Sequence, residues 1–195
     1  MAYLKSGIHA AFTCVLIMFP SISFSANTAM TLQTSEEWEE DQWVVSYGKG
    51  FVIASVNGQI THGDRLRLRL EFGDCDKAHV LPHIYTMRGN EDILNMDEKE
   101  ISVAIDGNEA SGTIILPRRF LSGHSFFLYL GSSSIESLKS YFSGLKSTTL
   151  QLLDSDEMKI SDYVDLDRNE WSLHGFNGAL ERAQAACRAG RKLEL

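Results

Sequence analysis

The strictest alternation of hydrophobic and polar residues runs from Arg65 to Phe72. One face of this segment carries only large apolar side chains, namely Leu66, Leu68, Leu70 and Phe72. The other face is charged and consists of Arg65, Arg67, Arg69 and Glu71. Because successive side chains of a strand point to opposite faces, the pattern predicts a half-buried β-strand with one arginine face.

Other short apolar segments, separated by Gly, Asn and Asp, predict further strands. They cover residues 43–45, 51–56, 83–87, 101–105, 113–116, 125–130, 148–153 and 170–173. Pro82 favours the start or edge of a strand, because proline cannot donate to a sheet ladder. The dipeptide Asn57-Gly58 predicts a tight hairpin between residues 51–56 and 59–62, since both residues accept a positive φ.

Two segments have helical periodicity instead. The first begins at Ser133, which has capping-box spacing to Glu136, and it is expected to end near Gly144. Its apolar stripe consists of Ile135, Leu138, Phe142 and Leu145. The second covers residues 177–189 and turns Cys187 inward. Together the elements predict a mainly β fold of the α+β class, an antiparallel sheet or sandwich with two helices, one of them C-terminal.

The first 25 residues have the features of a secretory signal peptide. Lys5 provides a positive start, an apolar stretch covers residues 10–19, and small residues precede the expected cleavage after Ser25. The stretch is short for a bilayer crossing, so no stable membrane span is expected after cleavage; an uncleaved anchor is the alternative. The mature chain is then one exported β-rich domain, residues 26–195, in the periplasm or secreted.

Cleavage leaves two cysteines, Cys75 and Cys187. In an oxidising compartment an even pair in a small exported domain favours a disulfide, and a metal site is the weaker alternative. The bond would tie the C-terminal helix to the body of the domain. The whole chain of 195 residues has 18 basic and 26 acidic side chains, a net charge of −8, which argues against nucleic acid as a partner.

No catalytic motif or cofactor signature stands out. Gly123-His124-Ser125 lacks the second glycine of a hydrolase nucleophile elbow. The spacing of Cys75, His79 and His83 suits metal ligands only on a helix, which Pro82 disfavours, so both histidines are interpreted as loop residues. Positions 165, 167 and 169 match the start of a calcium loop, but its glycine and closing acid are missing. We expect no metal and no cofactor.

The arginine face is the one feature that suggests a partner. Arg65, Arg67 and Arg69 place three guanidinium groups at alternate positions of an acidic protein, an arrangement suited to phosphate, sulfate or carboxylate groups. Pairing with Asp and Glu on neighbouring strands is the alternative explanation.

Three segments of the later half resemble the invasion-associated locus B family of exported bacterial proteins. These are VAIDG at 103–107, SIESLKSYFSGLK at 134–146 and SLHGFNGAL at 172–180. The resemblance implies a periplasmic, β-rich, non-enzymatic protein linked to host-cell association, with no catalytic residues to transfer. We therefore expect an envelope interaction module that binds an envelope or secreted protein, or an anionic envelope component. A periplasmic hydrolase without a recognisable motif is the alternative.

Overall fold

Antiparallel strands dominate the computed structural model, which describes residues 37–40, 42–61 and 63–190, with side chains from residue 42 onward. Twelve strands lie in this part of the chain. They are β1 (Glu37–Glu40), β2 (Trp43–Gly48), β3 (Phe51–Asn57), β4 (Arg65–Glu71), β5 (Asp74–Val80), β6 (His83–Thr86), β7 (Glu100–Ile105), β8 (Asn108–Phe120), β9 (Gly123–Tyr129), β10 (Ser132–Ser134), β11 (Ser147–Leu152) and β12 (Arg168–Ser172). The predicted signal peptide lies outside the described residues.

The strands form one sheet with the order β1-β2-β3-β4-β6-β9-β8-β7-β11-β12, and β5 pairs with β4 and β10 beside this path. Two α-helices accompany the sheet, α1 (Ile135–Tyr141) and α2 (Phe176–Gly190), with short 3-10 helices at Glu91–Asn95 and Ile160–Asp162. The predicted mainly antiparallel fold with two helices, one C-terminal, is confirmed. In the part of the chain that the structure describes, no helix is long and apolar enough to cross a membrane.

The core forms where the apolar face of β4 meets α2. Leu66, Leu68 and Leu70 are buried, as their alternation predicts. Helix α2 packs against β2 to β5, and its buried stripe consists of Phe176, Ala179, Leu180, Ala183, Ala186 and Cys187. Small alanines on this stripe let the helix approach the sheet closely.

The predicted disulfide is present. Cys75 on β5 and Cys187 on α2 are bonded, with their Cα atoms 5.7 Å apart and 112 positions between them in sequence. Both cysteines are buried. The bond therefore ties the C-terminal helix to the sheet, as the helical register of Cys187 indicates, and it is typical of proteins outside the reducing cytoplasm.

The tight hairpin predicted at Asn57-Gly58 is wrong. Strand β3 pairs with β4 instead, and residues 58–64 form a longer connection; residue 62 itself lies outside the described residues. Gly58 forms an isolated bridge with Trp171, and the amide of Gln59 donates to the carbonyl of Glu170 at 2.8 Å. The segment that would have returned along β3 is therefore held by β12.

Two further expectations need correction. The two histidines do not lie in a loop: His79 belongs to β5, and His83 begins β6, as the strand predicted at 83–87 indicates. Helix α1 is capped by Ser134 rather than Ser133, because the Ser134 hydroxyl accepts from the amide of Ser137 at 3.1 Å. Ser133 instead belongs to β10 and pairs with Ala78 of β5. The helix therefore begins one residue later than the capping-box spacing of Ser133 predicts.

Candidate functional site

The three arginines of β4 have three different environments. Arg65 is exposed, Arg67 is only 8% exposed, and Arg69 is partly buried. Arg69 pairs with Glu71 at 3.2 Å, and its Cζ lies 4.4 Å from the centroid of the Phe51 ring. Arg69 is therefore paired, although its partner lies on β4 itself and not on a neighbouring strand as the alternative explanation expects.

Arg67 is a buried cation without a carboxylate. Its Cζ lies 5.2 Å from the centroid of the Phe127 ring. Within the described part of the chain, neither a hydrogen bond nor an ion pair joins its side chain to another residue. Burial, together with the positive charges of Arg65 and Arg118, lowers the pKa of Arg67 to about 10.

His83 lies in the same environment. It is opposite Arg65 in the register between β4 and β6, and its ring stacks on Phe127 with 4.6 Å between centroids. His83 is 6% exposed, and its Nε2 has no hydrogen-bond partner among the described residues. Burial lowers its pKa to about 3, assisted by the charges of Arg67, Arg118 and Arg65, so the imidazole is neutral at ordinary pH.

Arg118 reaches this environment from β8. It is opposite Ser125 of β9 in the sheet register, and its Nε donates to the Ser125 hydroxyl at 3.4 Å. Because Ser125 and Phe127 are two residues apart on one strand, they share a face, and Arg118 joins that face. We define the arginine cluster as Arg65, Arg67 and Arg118 with His83 and Phe127.

The arginine cluster concentrates positive charge, and no acidic side chain of residues 42–61 or 63–190 forms an ion pair with it. Buried charges in proteins are normally paired, because removal from water is costly. Guanidinium groups donate in a planar fork that matches carboxylate, phosphate and sulfate oxygens. The arrangement therefore suits an oxyanion that comes from outside the described chain, with Phe127 as an apolar neighbour.

Only part of this site is predictable from the sequence. Arg65 and Arg67 are in the predicted set, whereas Arg118 and His83 come from β8 and β6, and their approach depends on strand order. Arg118 carries one usable signal, an arginine pair directly after Pro117 in an acidic protein. Whether Arg65, Arg67 and Arg69 bind an anionic partner stays a prediction.

The other sequence-level candidates are not assembled into sites. Ser125 accepts from Arg118, whereas the neighbouring His124 directs Nδ1 toward the carbonyl of Arg88 at 3.2 Å and Nε2 toward Glu91 at 3.6 Å. Asn169 is hydrogen-bonded to Asp64 at 2.9 Å rather than arranged in a calcium loop. In residues 42–61 and 63–190, no three His, Cys, Asp or Glu side chains are grouped to hold a metal ion.

Comparison with known proteins yields no relative: no family model, no curated protein and no solved structure matches this chain. The resemblance to the invasion-associated locus B family therefore stays a prediction, and the arginine cluster is the feature that indicates a function.

Proposed function

We propose that the chain is an exported, non-enzymatic interaction module of the periplasm or cell envelope, and that its arginine cluster binds an anionic group of an envelope or secreted partner. The observation that carries this proposal is Arg67, a residue that is 8% exposed and whose guanidinium has no carboxylate partner among the described residues. Because buried charges are normally paired, this unpaired guanidinium favours a counter-ion from outside the described residues.

Separate features support the proposed cellular location. The signal-like residues 1–25 support export, and the Cys75–Cys187 bond is typical of an oxidising compartment. The resemblance to the invasion-associated locus B family supports an envelope protein linked to host-cell association. Intact mass of the protein taken from the envelope fraction tests cleavage after Ser25.

The ligand group is expected to be an oxyanion bound by at least two guanidinium groups. Arg65 and Arg118 are exposed enough to meet a partner, while Arg67 lies deeper beside Phe127. Charge-assisted hydrogen bonds from such groups are about twice as strong as neutral ones, and a rigid sheet fixes their positions. On an acidic domain the attraction of an anion would be local to this cluster.

Inorganic phosphate is a suitable first probe, compared with sodium chloride at equal ionic strength. We expect phosphate to raise the midpoint of thermal unfolding of the wild type in a saturable manner, because a ligand that binds only the folded state stabilises it. Arg65→Gln with Arg118→Gln should weaken phosphate binding at least tenfold. An identical response of the wild type to phosphate and chloride would overturn the proposal.

A matched control is available on the same domain. Arg168→Gln with Arg182→Gln removes the same two charges from exposed positions on β12 and α2, outside the arginine cluster. This variant should keep the phosphate response of the wild type. An equal loss in both double variants would show that net charge alone, and not a site, governs the response.

A further inference from the structure

The turn that joins β8 and β9 exposes large apolar side chains. Leu121 at the turn is 87% exposed, and Phe120 beside it is 43% exposed. Phe120 is opposite Gly123 in the last pair of the β8–β9 ladder, so Leu121 and Ser122 form the turn. Leu121 has a φ of 52°, a conformation in which asparagine, aspartate and glycine are more usual than leucine. Outliers of this kind are typical of functional positions.

Two further side chains extend this apolar surface. Tyr85 of β6 packs its ring edge-on against Phe120, with 5.7 Å between centroids. Met87 follows β6 directly and is exposed, and its Cα would lie 3.0 Å from a Cβ built on Gly123. We define the apolar tip as Tyr85, Met87, Phe120 and Leu121. Since these side chains meet at one end of the sheet, they form a continuous patch rather than scattered exposed residues.

The apolar tip lies beside the arginine cluster on one face of the sheet. Phe120 is two residues from Arg118 on β8. Tyr85 of β6 is opposite Ser125, the residue whose hydroxyl accepts from Arg118. Side chains two apart on a strand share a face, as do side chains directly opposite on antiparallel strands. One partner can therefore contact the guanidinium groups and the apolar tip together.

The spacing of the two features matches the depth of a bilayer interface. Arg118 lies two residues behind Phe120, which is about 7 Å along a strand. The row formed by Arg65, His83 and Phe127 across β4, β6 and β9 lies a further two residues back. Interfacial segments bury their apolar side about 5–10 Å into the boundary between headgroups and acyl chains. A hairpin that enters end-on to this depth places Arg118 at the level of the lipid phosphates.

The charges around the apolar tip favour an anionic bilayer over a neutral one. Arg88 is exposed beside the tip, and no carboxylate among the described residues pairs with Arg88 or Arg118. Arg119, by contrast, is paired with Glu91 at 2.6 Å. One acid lies at the tip, Asp165, and its carboxylate accepts from a backbone amide there. Salt screens exposed charges beyond about 8–10 Å, so these local arginines act more strongly than the acidic remainder of the domain.

We infer that the anionic group bound by the arginine cluster is the phosphate of a lipid headgroup, and that the apolar tip enters the surface of the same anionic bilayer. The inference rests on the proposed function, because the same arginines bind the headgroup. Attachment of this kind gains strength from both buried apolar area and attraction to anionic lipids. It lies in the interface and does not span the bilayer.

Vesicles of phosphatidylcholine, with and without phosphatidylglycerol, test the inference by co-sedimentation. The wild type should bind the mixed vesicles at least tenfold more tightly than pure phosphatidylcholine, and sodium chloride should weaken this binding. Phe120→Gln with Leu121→Asn removes apolar surface and keeps every charge, so it should bind mixed vesicles at least tenfold more weakly. Tyr141→Gln with Leu145→Asn, two exposed apolar positions at and after the end of α1, is the matched control and should stay within twofold of the wild type.

Insertion of the tip is measured separately by fluorescence. Leu121→Trp places an indole at the turn, and its emission should shift to shorter wavelength when mixed vesicles are added, beyond any change in the wild type. Leu145→Trp is the control and should show no such shift. Vesicle binding without a shift from Leu121→Trp would overturn insertion of the tip.

The phosphate response distinguishes this inference from the proposed function. Phe120→Gln with Leu121→Asn should keep the thermal response to phosphate, whereas Arg65→Gln with Arg118→Gln should lose both phosphate and vesicle binding. A wild type that binds phosphate but not mixed vesicles would overturn the lipid inference and indicate an acidic protein or polysaccharide partner. Equal vesicle binding by the wild type and either of these variants would also overturn it. A wild type that responds to neither would overturn both proposals.

Discussion

Arg67 is buried and positively charged, and no carboxylate among the described residues pairs with it. The Phe127 ring offsets part of the cost, because a cation over an aromatic face gains about 0.5–2 kcal/mol. The charges of Arg65 and Arg118 add to the cost, as the lowered pKa of Arg67 shows. In the free protein this residue is therefore a source of instability that an anion would relieve.

Replacing Arg67 with Met should raise the free energy of unfolding in a buffer free of multivalent anions, by about 1 kcal/mol. The apolar side chain keeps contact with Phe127 and removes the buried charge. Urea unfolding measures this, with Arg65→Met as the exposed control that should change little. A loss above about 1 kcal/mol would assign Arg67 a structural role.

The raised pKa of Asp64 predicts how the free energy of unfolding depends on pH. Burial raises its pKa from 3.8 to about 6, while hydrogen bonds from the Tyr85 amide and Asn169 act in the opposite direction. The folded state therefore keeps the proton that the unfolded chain releases, so this contribution to stability is fully present below about pH 4 and is lost as the pH rises past 6.

The measurement compares the wild type with Asp64→Asn by urea unfolding. The stability difference, wild type minus variant, should fall by about 2 kcal/mol between pH 4.5 and pH 7.5. The subtraction matters because His83, whose lowered pKa gives it a dependence of opposite sign, contributes equally to both proteins. A pH-independent difference would show that Asp64 titrates normally.

His83 reports on occupation of the arginine cluster. Its nearest charges are Arg65, Arg67 and Arg118, all positive, and together with burial they hold its pKa near 3. An anion bound beside these groups favours the imidazolium, so phosphate should raise the pKa of His83. NMR titration of the ring protons, with Arg65→Gln plus Arg118→Gln as the control, measures the shift. An unchanged His83 titration at saturating phosphate would place the anion elsewhere.

Among the strands and helices, the sequence predicts those whose own hydrophobic periodicity identifies a buried face. The alternation of β4 and the apolar stripe of α2 are both confirmed, because one buried face determines each. Turn signals are less decisive. Asp106 and Gly107 adopt φ values of 50° and 81° in a two-residue turn between β7 and β8, whereas neither residue of Asn57-Gly58 has a positive φ.

The two turns differ because of their distant neighbours. Asn169 accepts from the amide of Ile60 at 3.1 Å and donates to the carbonyl of Thr61 at 3.2 Å, which holds the connection after β3 against β12. No such neighbour is visible in the local sequence, because Asn169 lies 109 positions from Ile60. Strand β5 is not predicted from the sequence for the same reason. Only Cys75 and Ala78 of this strand are buried.

Gly58→Ala should therefore destabilise the protein through close packing rather than through backbone conformation. A Cβ at this position would collide with the Asn169 side chain and lie 2.6 Å from the Thr61 carbonyl oxygen. We expect a loss of about 2–3 kcal/mol in urea unfolding. Gly107→Ala is the control: its surroundings are open and its φ is +81°, so about 1 kcal/mol is expected. Equal losses would contradict the packing explanation.

At the scale of the whole molecule, the fold is more predictable than its sites. Arg65 and Arg67 are visible as one strand face, but His83, Arg118 and Phe127 join them through pairings among β4, β6, β8 and β9. Composition and periodicity do not predict these strand pairings.

Removing the disulfide should change the free energy of unfolding without changing the arginine cluster. The bond closes 112 positions of chain, and in the chain-entropy model a loop of about 100 residues contributes up to about 4.7 kcal/mol. Cys75→Ala with Cys187→Ala should therefore lower the free energy of unfolding by about 2–5 kcal/mol. Since domains of this size have about 5–15 kcal/mol in total, the variant should remain folded but melt earlier.

Anion binding should survive this change. Cys187 and its helix pack on the apolar side of β4, whereas the arginine cluster occupies the opposite face and uses β6, β8 and β9. We expect phosphate to stabilise the disulfide-free variant and the wild type by the same free energy, measured below both melting temperatures. The reason is that the residues proposed to bind phosphate keep their strand pairings. Loss of the phosphate response in a variant that keeps its β-sheet circular dichroism would mean that α2, through the disulfide, sets the position of β4 and hence the geometry of the cluster.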